Sequence, residues 1–380
     1  MSAPQRARTR RAGGLPELVL AGDHRYRLVR AWPRGRDHAL LELAAEDGTT
    51  VAAQWFGDPA ALAAAARTAP APAHVAGDVL LQPGGADARL RALPRVLAED
   101  GARLVAHRPG RRAVVRLSGA DGTAREFVKV VRPSKAEDLA RRGALVSALI
   151  GEEVRVPRLA DGSEPERGVL RWSVVPGATL HDLGASGEWS ASQAWTAWHT
   201  AGRAVARLHS APAEHVTARH GATDELTALA AFLDPAVAHG LLDADLVARA
   251  RERVTAELEA GTGGSAPGVL HRDLHDKQLL LDHAGTVGMI DVDTLAVGER
   301  ALDVANLLVH LELRGAQGVL APAPAAAAGA GFLAGLDADL PADRVAAYTR
   351  ATRLRLAGVY AFRPQWRAVA EDLLRRVALS

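Results

Sequence analysis

The chain has 380 residues and an apolar content of 48%, enough for a sizeable core and for two or three domains. Its 46 basic and 44 acidic residues leave a net charge of +2, which makes no case for a nucleic-acid partner; with no Cys, disulfides, thiolate zinc sites and cysteine nucleophiles are excluded. No apolar run approaches the roughly 18 residues of a membrane span, and Met1–Arg11 is basic with no apolar signal core behind it, so a cytoplasmic protein is expected.

After that basic stretch, His24–Arg30 alternates as a strand does. Ala39–Leu43 and Thr50–Phe56 flank the turn residues Glu46-Asp47-Gly48-Thr49, the pattern of a hairpin. Ala60–Thr68 is Ala-rich and predicts a helix, which the Pro/Ala stretch Pro70–His74 breaks. Residues 1–95 read as a β-rich extension that shapes a substrate entrance or packs on the unit that follows.

Arg111–Leu117 and Glu126–Val131 are strand-like runs around the turn Ala120–Thr123, and Lys129 projects from one face of the second. The preceding loop, His107–Arg112, has one Gly and several arginines. Ser134–Ile150 predicts a helix whose only acids are Glu137 and Asp138. Gly168–Val175 reads as an extended strand running into Pro176-Gly177-Ala178-Thr179-Leu180.

From about residue 176 the patterning is helical. Ala191–Ser210 predicts a long helix whose Trp195 and Trp198 suit core packing. Thr223–Ala260 supplies further helices, and Gly261–Pro267 a loop. Ala321–Gly331 is Ala/Pro/Gly-rich, a flexible connection or a helix start. Arg344–Arg355 and Ala368–Ala378 predict terminal helices, with an aromatic and arginine cluster, Tyr360–Arg367, between them. Arg363 or Arg367 would suit an anionic or hydroxyl-rich substrate and Trp366 a sugar face; the alternative is a helix corner packed by aromatics.

The most informative segment is Leu270–Asp303. His271-Arg272-Asp273-Leu274 is followed by an amide, Gln278, five residues after Asp273, and by Asp291 at the end of a predicted hairpin, Leu279–Ile290. A hairpin brings its ends together, so Asp273, Gln278 and Asp291 converge. Phosphoryl transfer from ATP needs such a set: a carboxylate to orient a hydroxyl, and oxygen ligands for Mg²⁺.

This segment resembles the catalytic loop of the aminoglycoside phosphotransferase and choline kinase-like family, a branch of the protein-kinase-like fold. The likeness spans roughly residues 105–310 and is sharpest over 270–303. It implies a bilobal α+β fold: a β-rich small lobe over residues 96–175 and a mostly helical large lobe over residues 176–380, with the N-terminal β-rich module added. It implies Asp273 as the catalytic Asp, Gln278 in place of the usual metal-binding Asn, Asp291 as second metal ligand, and His271 and Asp303 as supports. Lys129 and Arg112 become the candidate cations on the phosphates, Ser173 and Val175 the adenine contacts. Glu137 is the candidate partner of Lys129, although family spacing points nearer to Arg142. The family usually has Gly where this chain has Arg272.

The expected reaction is ATP- and Mg²⁺-dependent transfer to a small-molecule hydroxyl, on a sugar, an aminoglycoside-like compound or another natural product. A polycationic acceptor would need carboxylates, for which Glu299, Glu312, Asp337 and Asp339 are candidates. A peptide Ser/Thr acceptor, a biosynthetic partner protein, or a kinase-like binding module without catalysis stay open.

Overall fold

The computed structural model describes residues 14–260, 267–336 and 339–379. Met1–Arg11, residues 261–266 and Asp337 therefore lie outside the described residues.

The first sheet has six antiparallel strands: β1 (Leu18–Ala21), β2 (His24–Pro33), β3 (His38–Ala45), β4 (Thr50–Phe56), β5 (His74–Ala76) and β6 (Val79–Gln82), in the order β1-β2-β3-β4-β6-β5. The β3–β4 hairpin is set by Asp47, whose carboxylate accepts the Thr49 N–H at 2.9 Å, the local bond that Asp favours in turns. Helix α1 (Pro59–Thr68) follows β4, with Asp58 as its N-cap.

Helix α2 (Leu93–Leu97) leads to the second sheet: β7 (Ala102–Arg108), β8 (Arg112–Ser118), β9 (Ala124–Val131) and, after helix α3 (Pro133–Ile150), β10 (Val169–Ser173), in the order β10-β9-β8-β7. Alternation on β8 puts Ala113, Val115 and Leu117 inside. Lys129 sits in the middle strand pair, opposite Val114 on β8 and Leu170 on β10.

The rest is mainly helical. In chain order it holds β11 (Ala178–Thr179), α4 (Leu180–Ala185), α5 (Ala191–His209), β12 (Arg219–His220), α6 (Ala222–Ala238) and α7 (Ala244–Ala260). Then come β13 (Pro267–Leu270), β14 (Leu279–Leu281), β15 (Val287–Met289) and β16 (Ala296–Glu299). Helices α8 (Ala301–Ala316), α9 (Pro322–Leu336), α10 (Ala342–Ala361) and α11 (Arg367–Ala378) complete the order. No helix of the described residues is long and apolar enough to cross a membrane.

The packing decides three expectations. Ala321–Gly331, expected as a flexible connection or a helix start, is the second: it lies largely within α9. Its small residues let α9 and α5 approach closely: a Cβ on Gly331 would lie 2.3 Å from the Trp195 carbonyl oxygen, and one on Gly335 2.0 Å from that of His199. Of the two tryptophans on α5, Trp198 is buried against Phe332, whereas Trp195 is 41% exposed and stacks on His199. The N-terminal sheet packs chiefly on the helical region, not the second sheet.

That last packing is extensive. Leu28, Leu41, Leu43, Trp55 and Leu81 of the first sheet share one core with Leu229, Leu233, Tyr348, Phe362 and Leu373. Each fully buried aliphatic of this kind contributes about 1.5–3 kcal/mol. Trp55, His239 and Phe362 meet edge to face, and the Ala31 N–H donates to the Phe362 carbonyl at 2.9 Å.

Candidate active site

Asp303, in the first turn of α8, is fully buried yet accepts three hydrogen bonds: the His271 N–H at 2.7 Å, the Arg272 N–H at 2.8 Å and His209 Nε2 at 3.1 Å. Burial pushes its carboxyl up, but His209 and these donors more than offset it and hold it below the usual carboxylate range. Asp303 thereby fixes the two peptides before Asp273. Arg272 takes a left-handed backbone, φ 70°, with its carbonyl held by Asn306 Nδ2 at 2.9 Å. A residue with a Cβ is costly there and Gly is not, which gives the physical reason a glycine suits this position.

The same loop is tied to the end of the β14–β15 hairpin. His271 Nε2 donates to the Ile290 carbonyl at 2.9 Å, and Thr294 Oγ1 donates to the His271 carbonyl at 2.8 Å. The Ile290 N–H donates to the Gln278 carbonyl at 3.0 Å, so Gln278 and Asp291 flank one rung of the ladder. Gln278 Nε2 lies 3.5 Å from Asp273 Oδ2, while its Oε1 is buried without a hydrogen-bond donor. A buried acceptor left unmet costs about 1–3 kcal/mol, and amide and carboxylate oxygens are the ligands a hard divalent cation takes. The oxygens of Gln278 and Asp291 are of the kind such an ion takes, although among the described residues no three His, Asp or Glu side chains form a cluster able to hold one.

Two cations face these acids. Lys129 Nζ lies 2.6 Å from Asp293 Oδ2 and 3.4 Å from Asp291 Oδ1. Arg112 Nη1 lies 3.7 Å and 3.9 Å from the same two carboxylates. Burial raises the Asp291 carboxyl, and Lys129 and Arg112 together bring it below its ordinary value. Asp291 also takes a left-handed backbone, φ 58°.

The expected Lys129–Glu137 pair is not formed. Glu137 is exposed on α3, and the lysine's carboxylate partner comes instead from Asp293. Arg142, at the helix position where family spacing looked for an acid, donates to the Asp293 carbonyl at 2.8 Å and pairs with Asp138 at 3.0 Å. The sequence did carry a signal for Asp293: a second acid two residues beyond Asp291 in Ile290-Asp291-Val292-Asp293.

Other expected residues fall as follows. The Ser173 N–H is taken by the Arg158 carbonyl at 2.9 Å, so it has no backbone donor left for a base. Val175 packs on Gly288, where a Cβ would lie 2.3 Å from its Cγ1. Trp366 packs at the edge of the core shared with the N-terminal sheet, Arg367 is paired with Glu17, and Arg363 lies 4.1 Å over the Tyr360 ring. Sequence reasoning also missed Asp87: its buried carboxylate accepts from Gly110 N at 2.6 Å and His107 Nε2 at 3.0 Å, fixing the turn that presents Arg108–Arg112.

The family model described as the phosphotransferase enzyme family matches residues 103–341. The chain belongs to that family. This phosphotransferase has the kinase-like fold. It is similar to the aminoglycoside phosphotransferase APH(3'')-Id of Streptomyces rimosus, at 25% identity over 70% of this chain and 98% of that one, TM-score 0.50. A type VIII aminoglycoside-3'-phosphotransferase is equally alike, at 25% identity, 70% and 97% coverage and TM-score 0.50. The aminoglycoside phosphotransferase APH(4)-Ia, in a thermostable mutant, shares the fold at TM-score 0.52 and 15% identity, covering 73% of this chain and 93% of that one. Comparison with curated protein sequences gives no match. The N-terminal sheet, α10 and α11 of this phosphotransferase all lie outside the matched residues.

Proposed function

We propose that the chain transfers the γ-phosphoryl group of ATP to a hydroxyl of a small molecule, with Mg²⁺ bound. In this reading Asp273 orients the acceptor hydroxyl and takes its proton. The hydroxyl oxygen forms a bond to the γ-phosphorus as the bond to the β–γ bridging oxygen breaks, and ADP leaves with that electron pair. Gln278 and Asp291 would hold the metal, which supplies charge neutralisation on the phosphates. Lys129 and Arg112 add positive charge beside them, and Asp293 sets the lysine's position. The Val175 N–H, which has no partner among the described residues, is the donor available to an adenine edge.

The single observation that carries this reading is Gln278: its amide touches Asp273 at one end, its carbonyl oxygen is unmet, and its backbone pairs beside Asp291. The division into residues 1–95, 96–175 and 176–380 follows as a proposal: an added module, a nucleotide lobe and a catalytic and acceptor lobe. A related solved structure of the Streptomyces rimosus enzyme contains ADP and streptomycin, and an amicoumacin kinase structure contains AMP-PNP, Ca²⁺ and its antibiotic. These favour a nucleotide and a small acceptor over a peptide. The test is Asp273→Ala in an assay of ATP-dependent transfer: nucleotide binding is retained and turnover is lost, and full activity in the variant would end the proposal.

A further inference from the structure

Arginines from separate parts of the fold gather around Trp32 and Tyr360. β2 crosses to the helical region through the bond from Ala31 N to the Phe362 carbonyl, which places Arg30 and Arg363 on either side of one hydrogen bond. Arg30 lies 4.4 Å over the Trp32 ring, and Arg108, from the β7–β8 turn, lies 5.0 Å over the same ring. Arg363 is half-buried over Tyr360 at 4.1 Å. Three parts of the fold thus bring guanidinium groups to one place: the N-terminal sheet, the phosphate-side turn and the α10–α11 corner.

These charges are poorly matched by the protein itself. Glu42 holds Arg30 through Nε at 3.1 Å and Nη2 at 2.9 Å. Among the described residues, no carboxylate pairs with Arg34, Arg108, Arg111 or Arg363. Arg108 Nε is buried without a hydrogen-bond partner. Burial, then repulsion from Arg111, Arg112, Arg34 and Arg30, brings the Arg108 guanidinium down to about 10. Arg363 is lowered by burial and is repelled by Arg30 and Arg314, with Tyr360 opposing. Cation–π contact offsets only about 0.5–2 kcal/mol of such crowding.

The cluster is joined to the loop that carries Asp273. Tyr360, under Arg363, faces Arg314, and Arg314 holds Asp276, three residues after Asp273, at 2.7 Å. Two of the four acids suited to a polycation are taken, Asp339 is exposed, and Asp337 lies outside the described residues. Glu299 accepts from Arg344 Nε and Nη2, both at 2.7 Å, and from Tyr348 at 2.9 Å; Glu312 accepts from Arg353 at 2.8 Å and from Arg376 at 2.9 Å.

Resting on the phosphotransfer reading above, we infer that the acceptor carries an oxyanion group, a phosphate ester or a carboxylate, held by Arg363 with Arg30 and Arg108 beyond the hydroxyl at Asp273. Guanidinium forks match such groups bidentately. Lys129 and Arg112 serve the nucleotide, and Arg108, the cross-strand neighbour of Arg112, stands between the two groups. The acceptor arginines Arg30 and Arg363 both fall outside the residues that the family model matches, so this site belongs to the added parts of this chain.

The test is calorimetric titration of the full chain with inorganic phosphate and, separately, acetate, each with and without saturating Mg-AMP-PNP. Phosphate or acetate is expected to bind saturably with the nucleotide already bound, and whichever binds tighter identifies the kind of oxyanion. R363Q should weaken that binding at least tenfold, R363K should recover part of it, and AMP-PNP affinity should stay within twofold in both. Anion binding that vanishes once AMP-PNP is bound, or that is unchanged in R363Q, would overturn the inference, as would tighter binding of a polycationic aminoglycoside such as kanamycin. Failure of AMP-PNP to bind at all is a different result: it strikes the phosphotransfer reading, and the nucleotide-free titrations still decide whether Arg363 holds an anion.

Discussion

Lys129 Nζ sits 2.6 Å from Asp293 Oδ2, across the gap between the second sheet and the turn that follows β15. The lysine is therefore tied to the loop that carries Asp291, and not to α3. Arg142 gives α3 its own link to that loop, through the Asp293 carbonyl. The charge pattern is inverted relative to the Lys–Glu pair of protein kinases: base on the helix, acid on the loop.

Asp293→Asn keeps the shape and removes the charge that positions Lys129. Small displacements of a catalytic group can cost about 10²-fold in rate. The expected outcome is a fall in kcat of that order, with Mg-nucleotide affinity changed far less. A purely structural role would instead lower the melting temperature and leave kcat of the folded fraction intact, so both are measured.

Asp303→Ala leaves two backbone N–H groups and His209 unmet in a fully buried position. Removing one member of such a buried set costs about 3–5 kcal/mol. Urea denaturation should show a loss of this size.

The same carboxylate gives a pH dependence. Its folded value is depressed, so below the unfolded value of about 3.9 the unfolded chain binds more protons. Stability is present above that pH and is lost as pH falls through the lower folded value. Asp87 and Asp276 are depressed too and add to the same acid limb.

His275 adds a separate limb at higher pH. Burial, opposed by Asp273 and Asp276, brings the imidazole down to about 4. Its Nδ1 accepts from Lys277 N at 3.2 Å, which fits the neutral ring; Asp276, 3.8 Å away, would favour the cation but is held by Arg314 at 2.7 Å. With a folded value below the unfolded one of about 6.5, stability declines between about pH 6.5 and 4. His275→Gln should reduce the slope of this part of the stability–pH curve without abolishing it, because burial also lowers His310 and His38, leaving the acid limb below it.

Arg272 tests the backbone argument. A left-handed residue with a Cβ costs about 1–2 kcal/mol relative to Gly. Arg272→Gly should therefore be more stable than Arg272→Ala by roughly that amount, read from chemical denaturation. Equal stabilities would remove strain as the reason a glycine suits this position.

Much of this was legible in the sequence, for definite reasons. The hairpin between Gln278 and Asp291 is marked by two apolar runs and the turn Asp282–Gly285, so its closure could be read directly. Lys129 was legible because β-branched neighbours mark its strand. Its partner was not, since the pairing crosses between lobes and depends on the left-handed turn at Asp291. Ala321–Gly331 was ambiguous because Ala and Gly show no amphipathic period; only α5 beside it makes it a helix. The arginine cluster was partly visible at Arg363 and hidden at Arg30, because it forms only when β2 meets Phe362.

The most direct measurement is the thermal shift of wild type and Asp291→Ala with ATP, each with and without Mg²⁺. A ligand at about 100 times its dissociation constant stabilises by roughly 2.7 kcal/mol, which a melting curve resolves. The account predicts a Mg²⁺-dependent shift in the wild type that is lost in Asp291→Ala. No shift in the wild type at millimolar nucleotide, or an equal shift in both proteins, would contradict it.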